Sequence, residues 1–243
     1  MKLINGDCLV EMKNIQDKSV DMILCDLPYG TTACKWDIVI PFEPLWESYK
    51  RLIKPKGAIV LFGSQPFTTT LIASNIKNFK YEWIWKKNEG SGFATSKYRP
   101  IKYHENICVF SYETSNYYPQ KTKRESIQSI NRYKTPVGIG RSKRAHGTLK
   151  NVGNVQYDNE WKNPESVLNI KCVPNGGGKK IHPTQKPVAL FEYLIKTYTN
   201  KGETVLDNCM GSGTTGVACK NLNREFIGIE KDENYFNIAK QRI

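Results

Sequence analysis

The sequence predicts an α/β fold built on a mixed, mostly parallel sheet with helices on both faces, and three observations carry that expectation. Short β-rich runs alternate with amphipathic segments in both halves of the chain. Three of the runs end in a carboxylate, at Asp26, Asp207 and Glu230. A glycine-rich loop joins one of them to a helix.

The alternation starts with the apolar run Val20–Cys25, then an amphipathic stretch at 44–53, a run at 58–62, a helix-like stretch at 68–76, and runs at 81–85 and 106–112. It resumes with a helix over Val188–Tyr198, a strand at 204–206, a helix at 214–222, a strand at 226–229 and a closing helix. Between the halves, residues 115–163 lose apolar periodicity and fill with Lys, Arg, Asn, Gly and Tyr. One domain spanning 1–243 with a basic insertion at 115–163 is expected. In such sheets ligands bind beyond the carboxyl ends of the strands, so the three carboxylates point to one shared crevice.

Composition narrows the function. Hydrophobic residues make up 39% and charged residues 24%, which suits a globular domain. No apolar run reaches the roughly 20 residues that span a bilayer, and the first seven residues turn polar too early for a secretory signal. No membrane association and a cytoplasmic location are expected. Seven cysteines form no Cys-x-x-Cys pair and only 3 histidines accompany them, so neither a disulfide framework nor a metal site is read. The net charge of +13 favours a polyanionic partner.

Gly211-Ser212-Gly213-Thr214-Thr215-Gly216 follows a strand ending at Asp207 and opens a helix. Such a loop lets backbone N–H groups approach a ligand at a positively polarised helix start. Glu230, 17 residues past Gly213, is suited to accept hydrogen bonds from two ribose hydroxyls. A nucleoside-containing cofactor is implied. The loop itself does not separate a nicotinamide dinucleotide from S-adenosylmethionine.

The tetrapeptide Asp26-Leu27-Pro28-Tyr29 makes that choice. An exocyclic base amine is a poor nucleophile because its lone pair is delocalised into the ring. A carboxylate at Asp26 and the carbonyl of Leu27, accepting both amine hydrogens, would favour a pyramidal nitrogen aimed at an electrophilic methyl group. Pro28 fixes the turn and Tyr29 offers a face for a planar base.

In these residues the chain resembles the amino-methyltransferases of DNA, whose signature is Asp/Asn/Ser-Pro-Pro-Tyr; "DNCMGSGTT" resembles their cofactor loop and "HPTQKP", residues 182–187, the segment before it. The order, catalytic motif first and cofactor loop last, resembles the β group. The resemblance covers nearly the whole chain outside the insertion. It implies a Rossmann-like S-adenosylmethionine-dependent methyltransferase fold with permuted motif order, double-stranded DNA as partner, and a homodimer. Asp at the first position resembles the N6-adenine enzymes. Leu27 replaces the family's first proline and Cys209 its usual Phe, which removes an aromatic wall beside the cofactor. By the same resemblance, Asp7 and Cys8 face the adenine end of the cofactor, Asp207, Cys209, Gly211, Ser212, Gly213 and Thr214 form its methionine loop, Lys186 lies near its carboxylate, and Glu230 holds the ribose.

The basic segment is expected to grip DNA phosphates through Lys121, Lys123, Arg124, Arg132, Lys134, Arg141, Lys143 and Arg144, and it is expected to serve target recognition. A duplex buries the amine, so the target base must be everted; Trp85 is a candidate wall of its pocket and equally a core residue. The reading is a site-specific DNA adenine-N6 methyltransferase. Cytosine-N4 transfer is its nearest alternative, followed by a nicotinamide-dependent oxidoreductase and an inactive DNA-binding subunit.

Overall fold

The computed structural model describes residues 1–31, 34, 37–125, 160–174 and 185–243. Its described strands are β1 (Lys2–Asn5), β2 (Val20–Cys25), β3 (Ile53–Gly63), β4 (Phe79–Ser91), β5 (Lys102–Phe110), β6 (Thr122–Lys123), β7 (Trp161–Lys162), β8 (Val167–Asn169), β9 (Thr204–Asp207) and β10 (Glu225–Glu230). The described helices are α1 (Cys8–Glu11), α2 (Phe42–Leu52), α3 (Phe67–Ser74), α4 (Val188–Tyr198), α5 (Thr214–Asn221) and α6 (Glu233–Arg242). The chain divides into two compact units. One holds Met1–Tyr118 and Ser166–Ile243, and the other holds Pro119–Glu165.

Eight strands of the first unit form one sheet in the order β1-β10-β9-β2-β3-β5-β4-β8. β1, β10, β9, β2 and β3 run parallel, β5 reverses against β3, and β4 reverses again against β5. The central strands bury both faces, so alternate residues feed two cores. On one face Met22, Leu24, Val60 and Phe62 meet Leu190, Phe191 and Leu194 of α4. On the other, Ile23, Cys25, Ile59 and Leu61 meet Leu45 and Tyr49 of α2 and Phe67 of α3. Helices on both faces follow from this two-sided burial. α2 forms because Leu45, Trp46, Tyr49 and Leu52 share one buried stripe, and α4 because Leu190, Phe191, Leu194, Ile195 and Tyr198 do.

Strand order reverses between β2, which leads on to β3, and β9, which leads on to β10. The carboxyl ends of β2 and β9 therefore open a crevice, with Asp26 on one side and Asp207 on the other. In the second unit β6 pairs antiparallel with β7, and the Arg124 amide donates to the Glu160 carbonyl at 2.8 Å. Lys121 and Lys123 are exposed there. Arg132, Lys134, Arg141, Lys143 and Arg144 lie outside the described residues, as do residues 182–184.

Candidate active site

A cleft of about 960 Å³ lies at the carboxyl edge of the sheet, within the size range of small-molecule sites. Asp7, Cys8, Asp26, Leu27, Pro28, Tyr29, Lys186, Asp207, Cys209, Gly211, Ser212, Thr214 and Glu230 all line it. Gly213 is the exception. It does not line the cleft; its φ of +80° caps α5, and a Cβ there would meet Ala239 at 2.9 Å and Ile243 at 2.8 Å. Its absent side chain lets α6 pack behind the loop.

The glycine-loop end is built from three parallel strands. After β10, Glu230 accepts from the amides of Gly211 and Asp232, both at 2.8 Å. These bonds fix its carboxylate and still leave lone pairs for a ligand's hydroxyls. After β1, Asp7 caps α1 by accepting from the Leu9 amide at 3.0 Å and pairs with Lys231 at 3.1 Å. Burial opposes the Asp7 charge, but Lys231 and these amide bonds prevail and its pKa falls below the usual carboxylate value. Asp207, at the end of β9, accepts from the Cys209 amide at 3.1 Å and from the Thr215 hydroxyl. Burial outweighs those bonds and pushes its carboxyl up to about 7. Together the fixed carboxylates and the Gly211 turn fit a ligand with ribose hydroxyls at one end and a charged amino-acid group at the other.

Cys8 and Cys209 line this end, and Cys25 is buried at the end of β2. Interaction with Cys209 and then burial raise the Cys8 thiol, burial pushes the Cys25 thiol up to about 12, and interaction with Cys25 raises Cys209. All three stay protonated, so Cys8 and Cys209 contribute shape and no nucleophile.

At the other end, Asp26 sits in a web of charges. Its Oδ1 accepts from the Tyr29 hydroxyl at 2.6 Å, and its Oδ2 accepts from Lys186 Nζ at 2.6 Å. Lys186 is buried and also lies 3.2 Å from Glu105 of β5, which in turn pairs with Lys87 of β4 at 3.1 Å. Burial pushes the Asp26 carboxyl up; the Lys186 charge pulls it back down, and the Glu105 charge adds to the rise. Burial works against the Lys186 ammonium as well, but Asp26 and Glu105 raise its pKa above the usual lysine value. Burial and the neighbouring Asp26 keep Tyr29 protonated, so it remains a donor. The Lys186 expected near a cofactor carboxylate thus has two carboxylates of its own chain as partners.

The turn after β2 is held by Asp37, whose Oδ1 accepts from the amides of Tyr29 at 2.7 Å and Gly30 at 2.9 Å, and whose Oδ2 accepts from Thr31 at 2.9 Å. Tyr29 stacks on Phe67 with ring centroids 4.9 Å apart. Trp85 is a core residue, buried and donating to the Ile170 carbonyl at 2.8 Å, and it also lines the cleft. Asp37, Glu105 and Lys87 escaped the sequence reading. The only sequence signal for Glu105 is a carboxylate placed beside an apolar strand run, and none marks Asp37. Among the described residues no cluster of three or more metal-ligating side chains occurs, and no helix is long and apolar enough to cross a membrane.

The DNA methylase model for N6/N4 methyltransferases matches residues 20–241. The type II methyltransferase M.HpaI of Haemophilus parainfluenzae is 29% identical over 100% of this chain and 74% of its own length. M1.MboII of Moraxella bovis, also a type II methyltransferase, is 28% identical over 98% of this chain and 94% of its own. The crystal structure of the M1.HpyAVI–SAM complex superposes with a TM-score of 0.66 at 28% identity, covering 100% of this chain and 99% of that one. The cytosine-N4-specific PvuII DNA methyltransferase shares the fold, with a TM-score of 0.67 at 16% identity over 99% and 85% of the two chains. With a turn built around Asp26 facing a glycine loop across one cleft, the chain belongs to the DNA methylase family of N6 and N4 amino-methyltransferases.

Proposed function

We propose that the protein is a DNA adenine-N6 methyltransferase. The observation that supports this best is the Asp26 carboxylate, held between Tyr29 and Lys186 on the cleft that the Gly211 loop also lines. S-adenosylmethionine supplies an electrophilic methyl carbon on a sulfonium centre. Glu230 and Asp7 bind its nucleoside end and the loop around Gly211 its amino-acid end.

Asp26 and the Leu27 carbonyl accept the two hydrogens of the target amine and turn its lone pair toward the donor. Asp26 uses one oxygen for Tyr29 and the other for Lys186, and a carboxylate retains lone pairs for a third donor. The Lys186 charge favours the ionised form against the burial that raises the Asp26 pKa, and the ionised form is the stronger acceptor. Adenine is favoured over cytosine by the Asp at the head of the tetrapeptide. The basic segment around Lys143 contributes phosphate contacts, and a homodimer, checked by light scattering, belongs to the same reading.

Transfer of labelled methyl from S-adenosylmethionine to unmethylated bacterial DNA, followed by nucleoside digestion, tests it. Label in N6-methyladenine is expected. Label confined to N4-methylcytosine would overturn the adenine assignment and leave the family chemistry intact.

A further inference from the structure

The β4–β5 hairpin carries side chains that donor binding and Asp26 do not use. β4 runs in the same direction as β3 and β2, because it is antiparallel to β5 and β5 is antiparallel to β3. Its end at Ser91 therefore emerges on the edge of the sheet where Asp26 lies. Gly90, Ser91 and Lys102, which flank the hairpin tip, line the cleft itself.

On that tip Phe93 is 62% exposed and Tyr98 89% exposed. The turn that presents them is ordered. Gly92, at φ +90°, reverses the chain; the Thr95 hydroxyl donates to the Gly92 carbonyl at 3.0 Å and accepts from Arg99 Nε at 2.8 Å. The Tyr98 amide donates to the Thr95 carbonyl at 2.9 Å. Two exposed rings on a short turn that adjoins the cleft through Gly90, Ser91 and Lys102 suit a surface that meets a partner. The hairpin's charge says which kind: with Lys87 paired to Glu105, Lys86, Lys97, Arg99 and Lys102 stand against the single acid Glu89 between residues 86 and 102. Cations interleaved with exposed rings suit a polyanion that also offers flat apolar faces, and DNA opened at one base pair offers both.

We propose that the tip of the β4–β5 hairpin is a wedge that enters duplex DNA beside the target, with Phe93 and Tyr98 stacking on the bases uncovered by eversion and Lys97 and Arg99 gripping the flanking phosphates. The inference rests on the reading of the chain as an enzyme acting on duplex DNA. Eversion unstacks the target's neighbours, and a ring that covers their exposed faces offsets part of that loss without reading sequence.

The test compares the wild-type protein with a Phe93→Ala/Tyr98→Ala variant and a Lys97→Ala/Arg99→Ala variant. Both pairs are surface changes, and thermal melting confirms the fold. Substrates are a duplex carrying a methylation site mapped on bacterial DNA, and the same duplex with an abasic site opposite the target. On the paired duplex the aromatic variant should lose about tenfold or more in kcat/KM, the scale of one to two lost base stacks. The abasic duplex, whose target is already unpaired, should restore most of that loss. The Lys97/Arg99 variant should bind DNA with a shallower salt dependence.

Unchanged turnover on the paired duplex would overturn the wedge, and so would an equal loss on both duplexes. Should the wild type transfer no methyl group to DNA, the enzymatic reading fails by itself, and an unchanged salt slope then rejects the hairpin as a DNA contact.

Discussion

Replacing Asp37 should disable the catalytic turn without touching the reacting groups. Its carboxylate is 7% exposed and accepts three consecutive backbone amides, from Tyr29, Gly30 and Thr31. A hydrogen bond to a charged group contributes about 1.5–3 kcal/mol, so Asp37→Ala should cost about 4 kcal/mol or more where water does not refill the site. For a domain of this size that lowers Tm by about 10 °C. Asp37→Asn separates the contributions. Its carbonyl oxygen, placed at Oδ1, keeps the bonds to Tyr29 and Gly30, while its NH₂ faces the Thr31 amide and loses that one bond. About 2 kcal/mol, or roughly 5 °C, is expected.

The same series should reduce kcat, because a displacement of about 1 Å at the reacting groups costs about a hundredfold. S-adenosylmethionine affinity should hold, since the end of the cleft proposed for the donor is built by β1, β9 and β10. The assays are calorimetric melting, donor titration and single-turnover methyl transfer. An alanine variant with wild-type turnover, or an asparagine variant that falls as far as alanine, would refute the assignment of the three amide bonds.

Further tests probe the neighbouring groups. Asp26→Ala should lower methyl transfer by at least about a hundredfold, the effect of removing one positioned polar group from a reacting centre, while isothermal titration still finds donor binding; comparable turnover would remove Asp26 from the chemistry. Activity needs Asp26 ionised, so it falls as pH falls, and burial sets that limb above the ordinary carboxylate range. Lys186→Met removes the charge that lowers the Asp26 pKa and should move the limb to higher pH. Glu105→Gln removes a charge that raises it and should move the limb to lower pH. Shifts of the same sign in both variants would contradict the charge web. Glu230→Ala should weaken donor binding by about 10- to 100-fold, the equivalent of about 1.5–3 kcal/mol, and an unaltered affinity in a titration would reject its role.

Elements with strong local patterns were legible in the sequence. The stripe of α4 gives Val188–Tyr198 with its observed bounds, and the strands before Asp26, Asp207 and Glu230 deliver those carboxylates to one cleft as expected. β1 and β8 were missed because they are the two edge strands of the sheet, β1 holding no buried residue and β8 one, which leaves no buried apolar run to read. β4 is longer than the run at 81–85 because its outer half, through Lys86 and Lys87, is polar and rests on pairing with β5. Glu105, Lys87 and Lys186 meet only through the order β3-β5-β4, and Asp37 reaches its amides only after the turn has closed. Such contacts are set by topology and leave no spacing to read. Gly213 shows the converse: a motif glycine whose partner is a distant helix.

That packing makes α6 a splint for the glycine loop. Arg242 donates to the Ser212 carbonyl and, at 3.0 Å, to its hydroxyl, while Ala239 lies against Gly213. The stiffness of the loop is thus underwritten some 30 positions downstream, by residues that no signature of the cleft contains. Drift in α6 would surface as lost grip on the methyl source in a protein whose recognisable motifs are all intact.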